Sequence, residues 1–153
     1  MDATPSIDGL NRLLADSTLF YQKLRHYHWN VDGRHFFELH AKFEELYDAW
    51  ALTIDVIAER ILMLGGVPIH TLSGMLSATG LTEDESLPDA FEMVRRVEAD
   101  LIAIHDSSAR VIAAAEEGQD RGTVNLLDAI RDTMEKDLWM LRSWRKEKEA
   151  AFA

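Results

Sequence analysis

One stretch constrains this chain more than any other: HFFELHAKFEELYDAWALTIDVIAERILMLGG, residues 35–66, carries two separate stripes at helical spacing. On a wheel turning about 100° per residue, Phe36, Leu39, Phe43, Leu46, Trp50, Ile54, Ile57, Ile61 and Leu64 fall within roughly 80° of arc. That predicts one long helix with a single face sunk in a core. On the far side, roughly 130° from the apolar centre by the same geometry, lie His40, Glu44, Asp55 and Glu59. Glu44 and Asp55 are separated by roughly 16 Å along the axis at about 1.5 Å per residue, so the four cannot meet inside one chain. If a second copy packs antiparallel about a two-fold axis, His40 and Glu44 of one chain face Asp55 and Glu59 of the other. His28, shortly upstream, completes a set of five ligand-type side chains. The spacing predicts a metal site shared between two subunits.

The same outward face also holds Phe37, Ala41, Ala51, Leu52 and Leu62. A solvated face would carry Lys and Glu at those positions, so this surface is expected to meet another protein.

The rest of the chain reads as helix too. A segment from Asp8 to Val31 repeats Leu10, Leu13, Leu24, Tyr27 and Val31 at threes and fours, and Asp32-Gly33 ends it. A third helix is expected from Pro88 to Glu117, with Phe91, Val94, Leu101, Ile104 and Val111 inward. A fourth is expected from Thr123 to Glu149, with Leu127, Ile130, Met134, Leu138 and Leu141 inward. The first and last connections are short, which makes those pairs antiparallel neighbours. The middle connection, GGVPIHTLSGMLSATGLTEDESLP, is long enough to run the length of a bundle. It is expected to hold a short helix at Thr71 to Ser77. The fold class is therefore all-α: a ferritin-like four-helix bundle whose single long crossover, between helices 2 and 3, carries a short extra helix. Residues 1–153 are expected to form a single domain.

Composition narrows the chemistry. With no cysteine, neither disulfides nor thiolate metal sites are available. Imidazole and carboxylate donors without thiolates suit iron, manganese or zinc. Sixteen basic against twenty-seven acidic residues give a net charge of −11, a field that repels nucleic acid and draws cations. No apolar run is long enough to span a membrane, and the N-terminus lacks a basic region followed by an apolar one, so no secretory signal is expected. A cytoplasmic location follows as the default.

Each ligand pair alone has an ordinary explanation. His40 with Glu44, or Asp55 with Glu59, at i, i+4 is commonly a surface contact, and His28 at the flank of its apolar stripe fits a hydrogen-bonded structural histidine. The metal reading rests on the five together. His26, His35, His70 and His105 have no comparable partners in the sequence.

The strings His28-Trp29-Asn30-Val31-Asp32-Gly33, Phe37-Glu38-Leu39-His40, Asp55-Val56-Ile57-Ala58-Glu59-Arg60 and Leu64-Gly65-Gly66 resemble the Dps family, the DNA-protecting mini-ferritins of starved cells. The likeness continues to Asp137-Leu138-Trp139-Met140-Leu141 and covers nearly the whole chain. It implies a hollow homo-oligomer of twelve subunits with di-iron ferroxidase sites at two-fold interfaces. There His28, His40 and Glu44 come from one subunit, and Asp55 and Glu59 from its partner. It also implies oxidation of Fe2+, with hydrogen peroxide as the favoured oxidant, and storage of the ferric product. Trp29 resembles an aromatic residue kept beside the iron site, though a core-filling indole explains it equally well.

Two departures stand out. Many members carry Asp where this chain has Glu44. Members also often line an iron-uptake pore with a D-x-x-T-x-D-L-L stretch. Here that stretch is Asp120-Arg121-Gly122-Thr123-Val124-Asn125-Leu126-Leu127, so Asn125 replaces one acid and Arg121 adds a positive charge. Asp120, with Glu116, is left to line such a pore.

Three rivals make different demands. A bundle with an intrachain di-iron centre needs Glu-x-x-His motifs, and none is present. A DNA-compacting, nucleoid-associated protein with a secondary iron site needs a basic arm. This N-terminus has two Asp and no Lys before Leu13, and the segment RSWRKEKEAAFA carries a net of only two positive charges. Those basic residues suit the negative end of the last helix, so direct DNA binding is not expected. A metal-free interaction module leaves the five ligand-type residues without a purpose.

Overall fold

In the computed structural model, residues 2–151 are described, with side chains to residue 146. They form five helices: α1 Thr4–Asn30, α2 Phe36–Met63, α3 Leu72–Ala78, α4 Ala90–Glu117 and α5 Arg121–Ala151. No strand occurs among the described residues. The bundle is the expected one, and the differences lie at its ends.

Helix α1 begins four residues earlier than its apolar repeat does. Pro5 stands in the first turn, where its fixed φ suits a helix and its missing N–H has no partner to lose. Asp2 Oδ1 then accepts from Thr4 N at 3.0 Å. Helix α5 begins at Arg121 because Asp120 caps it, Oδ1 accepting from Thr123 N at 3.1 Å. Asp89 does the same for α4, accepting from Glu92 N at 2.8 Å. Gly33 closes the α1–α2 turn with φ at 90°, as a helix-ending glycine should.

Helix direction follows from which ends touch. Gly9 lies against Val111 and Lys23 pairs with Asp100, so α1 and α4 are antiparallel. Arg145 reaches Glu98 while Arg131 reaches the His105 carbonyl, so α4 and α5 are antiparallel. His35 stacks edge-on against Trp144, and Arg60 meets Asp120, which sets α2 against α5 in the same way. Helices α1 and α5 therefore point one way, α2 and α4 the other. That arrangement demands a crossover the length of the bundle.

The crossover is fastened along α1. Asn11 Nδ2 donates to the Val67 carbonyl and Asn11 Oδ1 accepts from Ile69 N at 2.8 Å. Further along, Asp16 Oδ1 accepts from Thr79 Oγ1 and Gly80 N. Near the far end Tyr27 Oη donates to Asp84 at 2.6 Å, and His26 Nε2 donates to the Ser86 carbonyl at 2.9 Å. From residue 11 to residue 27 of α1 is roughly 24 Å at about 1.5 Å per residue.

All five helices feed one core. Leu10, Leu13, Phe20, Leu24 and Tyr27 of α1 pack with Leu39, Phe43, Leu46, Trp50, Ile57 and Ile61 of α2. Met75 of α3, Met93, Val97 and Leu101 of α4, and Leu127, Met134, Leu138 and Leu141 of α5 complete it. The apolar arc of α2 is therefore its core face, although Phe36, Ile54 and Leu64 at its margins are only half-buried.

Candidate metal centre

His28 stands in the last turn of α1 and His40 in the second turn of α2, and the short turn between the helices folds one onto the other. Their rings stack with centroids 3.8 Å apart and planes 13° apart. Each ring also bonds the other residue's backbone: His28 Nδ1 donates to the His40 carbonyl and His40 Nδ1 to the His28 carbonyl, both at 2.7 Å. The His28 carbonyl lies in the closing turn of α1, where carbonyls lack an intrahelical partner, so it is free to receive this bond.

The arrangement settles the tautomers. A carbonyl only accepts, so both Nδ1 atoms must carry the hydrogen, and in the neutral imidazole Nε2 is then the atom with the lone pair. Metal-ligating histidines are commonly held in this way, the second nitrogen donating to a carbonyl or carboxylate. Phe36 stacks on the His40 ring at 4.8 Å, and Tyr47 meets the His28 ring edge-on at 5.3 Å. His28 is 8% exposed.

The three carboxylates lie on the outer face of α2. Glu44 is one turn beyond His40, exposed, with Oε1 accepting from Tyr47 Oη at 3.3 Å. Asp55 and Glu59 follow on the same helix, exposed and without a side-chain hydrogen bond or ion pair among the described residues. Within one chain no three His, Asp or Glu side chains gather closely enough to hold an ion, among the described residues. The histidine pair and the Asp55–Glu59 pair remain separate.

The expected exposed apolar face is present. Phe37 is 85% exposed, Leu52 72% and Leu62 58%, and Leu72 and Leu76 of α3 are exposed as well. Trp29 is not a core-filling indole: the residue is more than half exposed, with the Arg25 guanidinium 4.9 Å from the ring centre.

A family model described as a ferritin-like domain matches residues 7–150. The DNA protection during starvation protein of Brevibacillus brevis is 41% identical over 135 residues, which span 88% of this chain and 91% of that protein. The chain belongs to the Dps family. General stress protein 20U of Bacillus subtilis is 39% identical over 90% of this chain and 95% of its own length. Among solved structures, the Dps protein from Bacillus brevis superposes with a TM-score of 0.90 at 38% identity, covering 94% of this chain and 99% of that one. The Dps protein from Vibrio cholerae O1, described as a member of a broad superfamily of ferritin-like diiron-carboxylate proteins, also gives 0.90 at 38% identity. It covers 94% of this chain and 92% of its own.

Within this Dps fold one sequence expectation changes. Asp120 is 7% exposed and its carboxylate is already engaged, taking a bond from Arg60 at 2.6 Å and further bonds from Thr123. Burial alone would raise its carboxyl, but the bonds from Thr123 and Arg60 outweigh that and hold it below the usual range. It ties α2 to α5 and caps a helix, so it is not a free pore-lining acid. The other miss is Tyr47, whose only signal in the sequence is its spacing, three residues after Glu44 and seven after His40. Desolvation and the Glu44 carboxylate push its phenol above the ordinary value.

Proposed function

We propose that this Dps protein oxidises and stores iron. In this reading ferrous ions bind between His28, His40 and Glu44 of one subunit and Asp55 and Glu59 of its two-fold partner. The observation that carries it is the reciprocal bonding of the stacked imidazoles, which orients both rings through Nδ1 and leaves Nε2 of each neutral ring available to a metal. Oxygen and imidazole donors together match a ferrous ion. The apolar face around Leu52 and Leu62 supports a second copy as the supplier of the remaining ligands.

Two ferrous ions per site suit peroxide as oxidant. One H2O2, two protons and two Fe2+ give two Fe3+ and two waters, with no odd electron left to form hydroxyl radical. The acidic chain, at −11, favours drawing cations in and holding ferric mineral inside a closed shell of twelve subunits. DNA is then protected by removal of iron and peroxide together, in the cytoplasm, without DNA contact. The relatives' description as DNA-protection proteins supports that role.

The test is to load the protein anaerobically with ferrous iron, add peroxide and size the products. Many ferric ions per subunit in a peak near twelve times 17.4 kDa is the expected result. Asp55→Ala with Glu59→Ala should abolish it. Iron precipitating free of a monomeric protein would defeat the proposal.

A further inference from the structure

We infer that Tyr47 is a positioning residue for Glu44, needed because this chain carries a glutamate at a place where a shorter acid would position itself. The inference rests on the metal-site reading above. Glu44 is exposed and has one more rotatable bond than aspartate, so on its own its carboxylate samples several directions. Tyr47 lies on the next turn of α2, at the i, i+3 separation where side chains meet. Its hydroxyl donates to Glu44 Oε1 at 3.3 Å.

Tyr47 is itself held. Its ring is wedged edge-on between Tyr21, 5.9 Å away at 87°, and His28, 5.3 Å away at 81°. The phenol is therefore anchored to the same imidazole that Glu44 must join at a metal. One side chain thus couples the direction of the carboxylate to the position of the histidine pair. An aspartate at this position, shorter by one methylene, is expected to fall short of the hydroxyl and has less freedom to restrain.

A double-mutant cycle on the full-length protein tests this, with Co2+ as the probe, titrated without oxidant and followed by its visible absorption. Tyr47→Phe keeps the ring and removes only the hydroxyl. It should weaken Co2+ binding about tenfold, within the range that outer-shell partners of metal ligands supply. It should also raise the KM for ferrous iron more than it lowers kcat. In the Glu44→Asp background the same Tyr47→Phe change should alter binding by less than about twofold, because the hydrogen bond is already gone. Loss of binding in His28→Ala, with Tyr47→Phe unchanged from the parent, overturns the positioning role while the site stands. An equal Tyr47→Phe effect in the parent and in the Glu44→Asp background also overturns it, since the hydroxyl would then act on something else. Co2+ binding untouched by His28→Ala and Asp55→Ala overturns the site, and this inference with it.

Discussion

Asp84 shows what single side chains contribute here. It sits in the crossover with an 8% exposed side chain and gathers Tyr27 Oη, Arg96 Nη1 at 2.8 Å and both the backbone N–H and hydroxyl of Ser86. Burial would raise its carboxyl, but the bonds from Ser86, Tyr27 and Arg96 hold it well below the usual carboxylate range. Nearby, the Arg95 and Arg96 guanidinium groups hold Glu92 down at about 2. At both sites the folded protein binds fewer protons than the unfolded chain as the solution is acidified, so stability rises with pH there. Their contribution is complete above the ordinary carboxylate value of about 4 and is lost as pH falls towards the folded values. Asp100 and Asp137 act in the opposite sense. Burial raises both carboxyls, Lys23 and Lys42 countering only in part, so acid relieves a small penalty first. Asp84→Asn should lower stability at neutral pH by about 2 kcal/mol, since it removes a charged acceptor and turns a donor towards Arg96. It should also flatten the loss of stability below pH of about 4, as read from thermal melts across the pH range.

Legibility at this scale was uneven for a physical reason. Leu10, Leu24, Phe43, Ile57, Val94 and Met134 are buried because helical periodicity alone forces them to one side of their helices. That the rings of His28 and His40 stack was decided by packing, whereas their placement on either side of the turn at Gly33, which the sequence announces, was readable. Asp84 with Arg96, Lys23 with Asp100, and Glu98 with Arg145 were not. The Lys23–Asp100 and Glu98–Arg145 contacts depend on how helices rotate about their axes when packed. A charge run that could be solvated gives no sign of that.

Among the elements, the contact between α1 and α4 is sharply limited by one residue. A Cβ on Gly9 would stand 2.7 Å from Val111 Cγ2, 3.1 Å from Cγ1 and 3.3 Å from Cβ. Rotating the valine exchanges one methyl for the other and relieves little, because the branch point itself is close. Replacing glycine with alanine inside a helix gains about 1 kcal/mol of propensity. Overpacking a buried contact costs about 1–3 kcal/mol. Gly9→Ala should therefore be net destabilising by about 1 kcal/mol, with the deficit visible in denaturant melts. A more stable Gly9→Ala protein would mean that α1 and α4 can move apart freely.

The crossover depends on α1 in a different way. Asp16 is 3% exposed and its Oδ1 holds both Thr79 and Gly80. Asp16→Ala leaves those two donors without their partner and should cost about 2 kcal/mol. Hydrogen exchange should quicken at Gly80 more than in α2 or α5. The length of this crossover was legible, and so was the short helix within it, displaced by one residue from Thr71–Ser77 to Leu72–Ala78. That Asn11, Asp16 and Tyr27 would be the fastening points was not, since their partners lie more than fifty residues away.

At the level of the whole molecule, the outer face of α2 carries the decisive test. Leu52 is 72% exposed and lies between Glu44 and Asp55 in the chain without being a ligand candidate. Under the proposed assembly Leu52→Glu should place like charges across the two-fold axis and block pairing. Its sizing profile should shift to monomer, and ferrous oxidation should fall by more than about tenfold although every ligand is intact. A mutant that still assembles and oxidises iron would remove this face from the interface. Among the described residues none of the helices is long and apolar enough to cross a bilayer.

Local sequence was enough to set the four long helices, the core face of each and the wide separation of the ligand-type residues along α2. Those follow from rise per residue, residues per turn and the side on which apolar groups recur. Which polar groups became partners was settled only by packing. The Nδ1 hydrogens of His28 and His40, the capture of Asp120 by Arg60 and Thr123, and the wedging of Tyr47 between Tyr21 and His28 each require groups held at a fixed distance and rotation. Apolar burial tolerates a range of such rotations, whereas a hydrogen bond selects a narrow one, and only the packed bundle makes that selection.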